Sequence, residues 1–157
     1  MDYKDKLLKY AVYYLSRYSS SKKNLEYILK KKIRRLTEEK KIRYELYQEI
    51  NHIISKLEQL KLLNDEIFVE SKINSLLMQA KSKNYIKQYL IRKGVSGEVA
   101  DEQISLFYEK NQNLEKENAF KFAKKRNLIN DKKDYEKKLA KMARAGFSYE
   151  ISKEILK

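Results

Sequence analysis

Thirty-six lysines and arginines against 22 aspartates and glutamates give this 157-residue chain a net charge of +14, with 42% apolar residues, three glycines, no proline and no cysteine. Such a composition leaves little material for tight β-turns and excludes disulfides and thiolate metal sites; it points to an all-α protein, either one domain or several small units sharing a core. No apolar run approaches the roughly 18–20 residues that span a bilayer, so no membrane association is expected.

In chain order, residues 3–18 read as the first helix. Leu7, Ala11 and Leu15, with Leu8 and Val12, form one stripe, and Tyr10, Tyr14 and Tyr18 run along an adjacent edge. Exposed tyrosines beside lysines can stack on unpaired bases, but such rings more often cover a core margin with the hydroxyl in water. The segment lacks the apolar region and small-residue cleavage site of a secretory signal, and its aspartates argue against a mitochondrial presequence; a cytoplasmic location is expected. Ser19-Ser20-Ser21 breaks this helix and caps a second, which carries Leu25, Ile28 and Leu29 inward. Thr37-Glu38-Glu39 opens a long third helix with one seam from Ile42 through Leu46, Ile50, Ile53 and Leu57 to Leu60.

Leu62-Leu63-Asn64-Asp65 ends that helix, and Asp65 is a natural N-cap for a fourth, with Val69, Ile73, Leu76, Leu77 and Ala80 buried. Ser82 caps a fifth helix bearing Tyr85, Ile86, Tyr89 and Leu90, which Gly94 stops by taking the left-handed conformation that costs glycine nothing in Cβ clashes. Ser96 caps a sixth, with Val99, Ile104 and Phe107 on its apolar stripe and Glu98 favourably placed in its first turn. Asn111-Gln112-Asn113 is a polar break before a helix over 114–127, with Ala119, Phe122 and Ala123 inward. Asn130-Asp131 caps a helix over 132–144 with Tyr135, Leu139, Met142 and Ala143 inward; Gly146 stops it, and Ser148 opens a last helix with Ile151, Ile155 and Leu156.

The pattern repeats. Gly94-Val95-Ser96-x-Glu98-Val99 returns fifty-two residues later as Gly146-Phe147-Ser148-x-Glu150-Ile151, and Ser21, Leu25, Leu29 and Lys32 superpose on Ser82, Ile86, Leu90 and Lys93. The expected architecture is therefore three tandem three-helix repeats, 1–62 with an extended third helix, 63–111 and 112–157. No linker composition separates them, which favours an elongated, curved array.

Charge is distributed unevenly over these helices. Residues 21–43 and residues 121–144 each hold ten basic and three acidic side chains, which together account for the whole excess. Lysine-rich composition alone explains abundance but not this segregation; the field suits nucleic acid or an acidic protein groove. Catalytic signatures are missing. With a single histidine, no Ser/His system is expected, no phosphate-binding glycine loop occurs, and Glu49-x-x-His52 lacks the second copy that a di-iron bundle needs. No enzyme activity, cofactor or metal is expected, and nothing in the pattern demands a dimer, so a monomer is expected.

Three segments together resemble the RecX family, bacterial regulators of the RecA recombinase. They are Leu57-x-x-Leu60-x-Leu62-Leu63-Asn64-Asp65-x-x-Phe68, then Ile86-x-x-x-Leu90-x-x-Lys93-Gly94-Val95, and Tyr135-x-Lys137-x-Leu139-x-x-x-x-Arg144-Ala145-Gly146-Phe147-Ser148-Tyr149-Glu150-Ile151. The chain departs from the family pattern in lacking a glycine in the first repeat, where Ile33-Arg34 stand, and before the fifth helix, at Lys81-Ser82-Lys83. The resemblance implies a nine-helix protein that lodges in the groove of the RecA–DNA filament and lowers ATP hydrolysis, strand exchange and co-protease activity, a role in recombination, DNA repair and the SOS response. The partners so implied are the RecA nucleoprotein filament and, without sequence preference, single- or double-stranded DNA. Electrostatic docking is expected to fall to Lys30, Lys31, Lys32, Arg34 and Arg35, to Lys83, Lys87, Arg92 and Lys93, and to Lys124, Lys125, Arg126, Lys137, Lys138, Lys141 and Arg144. The alternative is a sequence-independent DNA-binding protein of helix-turn-helix-like repeats acting without RecA.

Overall fold

A computed structural model describes residues 2–130 and 132–157. Among the described residues all regular structure is helical: α1 (Tyr3–Arg17), α2 (Lys22–Leu36), α3 (Lys40–Gln59), α4 (Asp65–Met78), α5 (Lys83–Arg92), α6 (Gly97–Lys110), α7 (Leu114–Lys125), α8 (Tyr135–Arg144) and α9 (Tyr149–Ile155). The chain forms two compact units, Met1–Phe68 with Lys93–Val95, and Val69–Arg92 with Ser96–Lys157.

In the first unit α1, α2 and α3 pack on one another around Leu7, Ala11, Leu25, Leu29, Ile33, Leu46, Ile50, Ile53 and Leu57. The stripes end sooner than their spacing suggests, since Val12 and Leu60 are exposed, while Ile33 is fully buried. Tyr10 and Tyr14 lie half-buried against this core and Tyr18 is exposed. In the second unit α5 packs on α6, and α9 packs on both α7 and α8 over Ala119, Ala123, Leu128, Met142 and Phe147.

Four helix stops follow one recipe. After α8, the Phe147 amide donates to the Met142 carbonyl at 3.1 Å and the Gly146 amide to the Ala143 carbonyl at 2.9 Å, a Schellman closure with Gly146 at φ +92°. The same paired bonds close α3, α4 and α7, but there the left-handed residue is Lys61, Ala80 or Asn127. Lys61 and Ala80 carry a Cβ into a region that disfavours it by roughly 1 kcal/mol, which is why no glycine advertised these stops. At the start of α4 it is Asn64, one residue before the expected cap, whose side chain accepts from Glu66 and Ile67 amides at 2.9 and 3.3 Å. The expected cap at Asp131 lies outside the described residues; α8 begins at Tyr135, later than its apolar spacing suggests.

One joint occurs in each unit. Ser21, fully buried, accepts from the Asn24 amide at 3.1 Å, capping α2, while its hydroxyl donates to the Lys93 carbonyl. Ser82, also fully buried, accepts from the Tyr85 amide at 3.1 Å, capping α5, while its hydroxyl donates to the Ala145 carbonyl at 2.7 Å. Each carbonyl belongs to the residue just before a positive-φ glycine. A Cβ on Gly94 would meet the Lys23 Cβ at 2.5 Å, and one on Gly146 would overlap the Ser82 hydroxyl oxygen. The next amide of each capped helix is held by a carboxylate. Asp65 accepts from the Lys22 amide at 2.9 Å, and both Glu115 oxygens accept from the Lys83 amide at 3.1 and 3.0 Å. Negative charge at a helix N-terminus is favoured by the helix dipole, so each joint clamps its helix start twice.

Glu115 also accepts from the Tyr108 hydroxyl at 2.7 Å. Burial raises the Glu115 pKa above the ordinary carboxylate range, against the opposing pull of the Tyr108 and Lys83 hydrogen bonds. Burial and the bonded carboxylate push the Tyr108 hydroxyl upward as well.

Two predictions follow from these contacts. Gly146→Ala should destabilise by about 2–4 kcal/mol, through left-handed strain and overpacking against Ser82, whereas Gly97→Ala, at a helical position with nothing within 4 Å of the added methyl, should stabilise by about 0.5 kcal/mol. Urea unfolding followed by circular dichroism reads both signs. Because the folded chain holds the Glu115 proton more tightly than the unfolded chain, that proton's contribution is full below the ordinary carboxylate pKa and is lost as pH rises through the raised value. Unfolding curves across that window should therefore show a slope in wild type that Glu115→Gln removes; identical slopes would contradict the assignment.

Candidate anion-binding surface

The expected cations divide by what already neutralises them. At the end of α2, Lys30 pairs with Glu26 one turn back at 2.7 Å, while Lys31 and Lys32 lie over the rings of Tyr27 and Tyr10 at 5.4 and 4.6 Å. Arg43, which sequence reasoning did not select, donates to the Thr37 and Arg34 carbonyls at 2.7 and 3.0 Å and so closes the C-terminus of α2. That leaves the exposed Arg34 and Arg35 side chains free of any role in stopping the helix, and neither makes an ion pair among the described residues.

On α5, Lys87 is held by Asp101 of α6 at 3.0 Å, Lys83 lies over the Tyr108 ring at 5.2 Å, and Arg92 over Tyr85 at 6.0 Å. Lys93 is half-buried, its carbonyl taken by Ser21. At the end of α7, Lys124 and Lys125 are exposed, and Arg126 lies 5.6 Å over the Phe122 ring. Along α8, Lys137, Lys141 and Arg144 are exposed and Lys138 is half-buried.

Three of these residues, Arg126, Lys141 and Arg144, converge with Lys81 on a cavity of about 530 Å³ in the second unit. Tyr85, Phe122 and Phe147 line the same cavity, with Ala80, Ser82 and Ala145 completing it, and no carboxylate is among the lining residues. Phe122 and Phe147 form a tilted ring pair at 5.6 Å, and Lys81 sits 4.6 Å over Tyr85. The local cause is backbone geometry. Left-handed Ala80 turns the chain so that Lys81 follows at the rim, and the Ser82–Ala145 bond holds that rim against the end of α8. Sequence reasoning missed Lys81, Tyr85 and the two phenylalanines as a group, because the segments that bring them together lie some 40 to 60 residues apart. Four positive side chains over an aromatic floor form a receptor for anions that carry an apolar part.

His52, the histidine of the Glu-x-x-His segment, is exposed, and Glu49 pairs with Lys4 at 3.0 Å. Among the described residues no group of histidine, cysteine or acidic side chains is arranged to hold a metal, and no helix is long and apolar enough to cross a membrane.

Comparison with known proteins adds an independent finding. Residues 64–103 match the family model described as "RecX, second three-helix domain". The chain is 31% identical over 162 aligned residues to the regulatory protein RecX of Myxococcus xanthus, covering 93% of this chain and 81% of that protein. It is 35% identical over 104 residues to the regulatory protein RecX of Clostridium perfringens, covering 66% of this chain and 46% of that one. Its fold matches the crystal structure of RecX from Lactobacillus salivarius with a TM-score of 0.70 and 26% identity, covering 98% of this chain and 94% of the other. A second crystal structure, of regulatory protein RecX, shares the fold with a TM-score of 0.69.

A concave site lined by one sign of charge focuses its field, so cations there count for more than equally charged neighbours on open surface. Lys141→Gln/Arg144→Gln should thus elute from a heparin column at lower salt than Lys124→Gln/Lys125→Gln, although both lose the same net charge. Equal elution would mean that net charge alone governs polyanion binding.

Proposed function

This chain belongs to the RecX family, and on that premise we propose that it binds the RecA–DNA filament and lowers its ATP hydrolysis, strand exchange and co-protease activity. It acts by occupancy and carries out no chemistry of its own. The observation that carries this reading is the run of uncompensated cations on the family scaffold: Arg34 and Arg35 after the buried face of α2, and Arg126, Lys141 and Arg144 around one acid-free cavity.

Electrostatics supplies both the attraction and its limits. A filament repeats acidic protein surface and phosphate at every subunit, so a basic protein gains from each additional contact and loses that gain as added salt reduces the entropy won by releasing counterions. Four of these five cations are arginines, whose planar fork suits bidentate phosphate contact without regard to sequence. Of the three repeats, 1–62 carries Arg34 and Arg35, 112–157 carries Arg126, Lys141 and Arg144, and 63–111 adds Lys81 at the cavity. Gly94 and Gly146 shape the joints and do not meet the partner, since each faces a buried serine cap or its neighbour.

The deciding measurement is DNA-dependent ATP hydrolysis by RecA, titrated with this protein at two salt concentrations. Inhibition should appear well below one protein per RecA subunit and weaken at the higher salt. No inhibition at stoichiometric excess, with tight duplex binding by the protein alone, would replace this reading with a DNA-binding protein that acts without RecA.

A further inference from the structure

The acid-free cavity of the second unit has more aromatic surface than a phosphate contact needs. A surface that only neutralises phosphates is served by solvated lysines, such as Lys124 and Lys125. Here the cations instead surround rings: Arg126 is laid over Phe122, Lys81 over Tyr85, and Lys141 and Arg144 complete the rim. We infer that this cavity is a subsite for one unpaired nucleotide of single-stranded nucleic acid, its base stacked on the Arg126 guanidinium that lies over Phe122 and its flanking phosphates held by Lys81, Lys141 and Arg144.

The chemistry selects the occupant. A base inside a duplex is stacked and paired on both sides and cannot enter a pocket. An unpaired base offers a π-face that stacks on an aromatic ring or on a guanidinium plane without regard to sequence. The volume, about 530 Å³, falls in the range of small-ligand pockets and exceeds what a phosphate group alone occupies. An acidic peptide would match the charge but not the rings. The walls are also fixed in advance. Ser82 bonds the Ala145 carbonyl at 2.7 Å, and Phe147, almost wholly buried, packs against Phe122. Ordering costs on binding are thereby reduced. This inference deepens the nucleic-acid part of the reading above and rests on it.

The test uses the whole protein, a fluorescent oligo(dT) 12-mer and a duplex of equal length, with affinities from anisotropy at several salt concentrations. Wild type should prefer the single strand. Phe122→Leu keeps apolar volume but removes the ring, and Arg126→Lys keeps charge but removes the planar guanidinium. Each should weaken oligo(dT) binding by about tenfold and duplex binding by less than about twofold, since the phosphates that hold a duplex are untouched. Lys141→Gln/Arg144→Gln should weaken both and lower the single-strand salt slope by about 0.7 per lost phosphate contact. If Phe122→Leu unfolds, Arg126→Lys at the protein surface still decides. Equal affinity of wild type for the two DNAs, no effect of Arg126→Lys, or equal competition by poly-glutamate would overturn the assignment. None of these readings involves RecA. A protein that inhibits RecA but shows no single-strand preference loses the subsite and keeps the function, and the converse result does the opposite.

Discussion

A serine hydroxyl at the start of a helix, bonded to a carbonyl at the end of another, holds each unit of this protein together. Ser21 and Ser82 each accept from an amide of the helix they cap and donate to the residue before a glycine. Both are fully buried, where a polar group without partners is costly, so the two bonds are needed together. They also demand a close approach of backbone to helix start that only a residue without a Cβ allows, which fixes Gly94 and Gly146. The carboxylates of Asp65 and Glu115 then take the next amide in each case. Capping, close packing and helix-dipole charge thus meet within the first three residues after each serine.

Much of this was written in plain sight. Helical spacing located the described helices, the two glycines gave their left-handed stops, and Ser21, Ser82, Ser96 and Ser148 gave their caps. What escaped was decided by tertiary contact. Asp65 is a good cap by residue type, yet it serves a helix 43 residues away while Asn64 caps its own. Stops at Lys61, Ala80 and Asn127 lack a glycine signal because surrounding bonds hold an unfavourable conformation in place. Ile33 and Ala100 are buried and Leu60 exposed because a stripe records one face of a helix, while the neighbours decide how far along that face burial extends.

The surface was legible as composition and far less so as a site. Segregated lysine and arginine announced an anionic partner. Which of them stay available depended on acids brought in from elsewhere: Glu26 one turn away in sequence, but Asp101 on a separate helix. The aromatic members of the cavity read in sequence as core or core margin, and so they partly are. Phe122 packs against Phe147 and also carries Arg126, a double duty that spacing alone does not encode.

The joints use a hydroxyl, main-chain carbonyls and the absence of a side chain, and almost none of the lysine-bearing faces. Most of the charged exterior can therefore change without disturbing either joint; the exception is the cavity, where Ser82 and Ala145 are joint and wall at once, so a change that loosens the joint also reshapes the receptor.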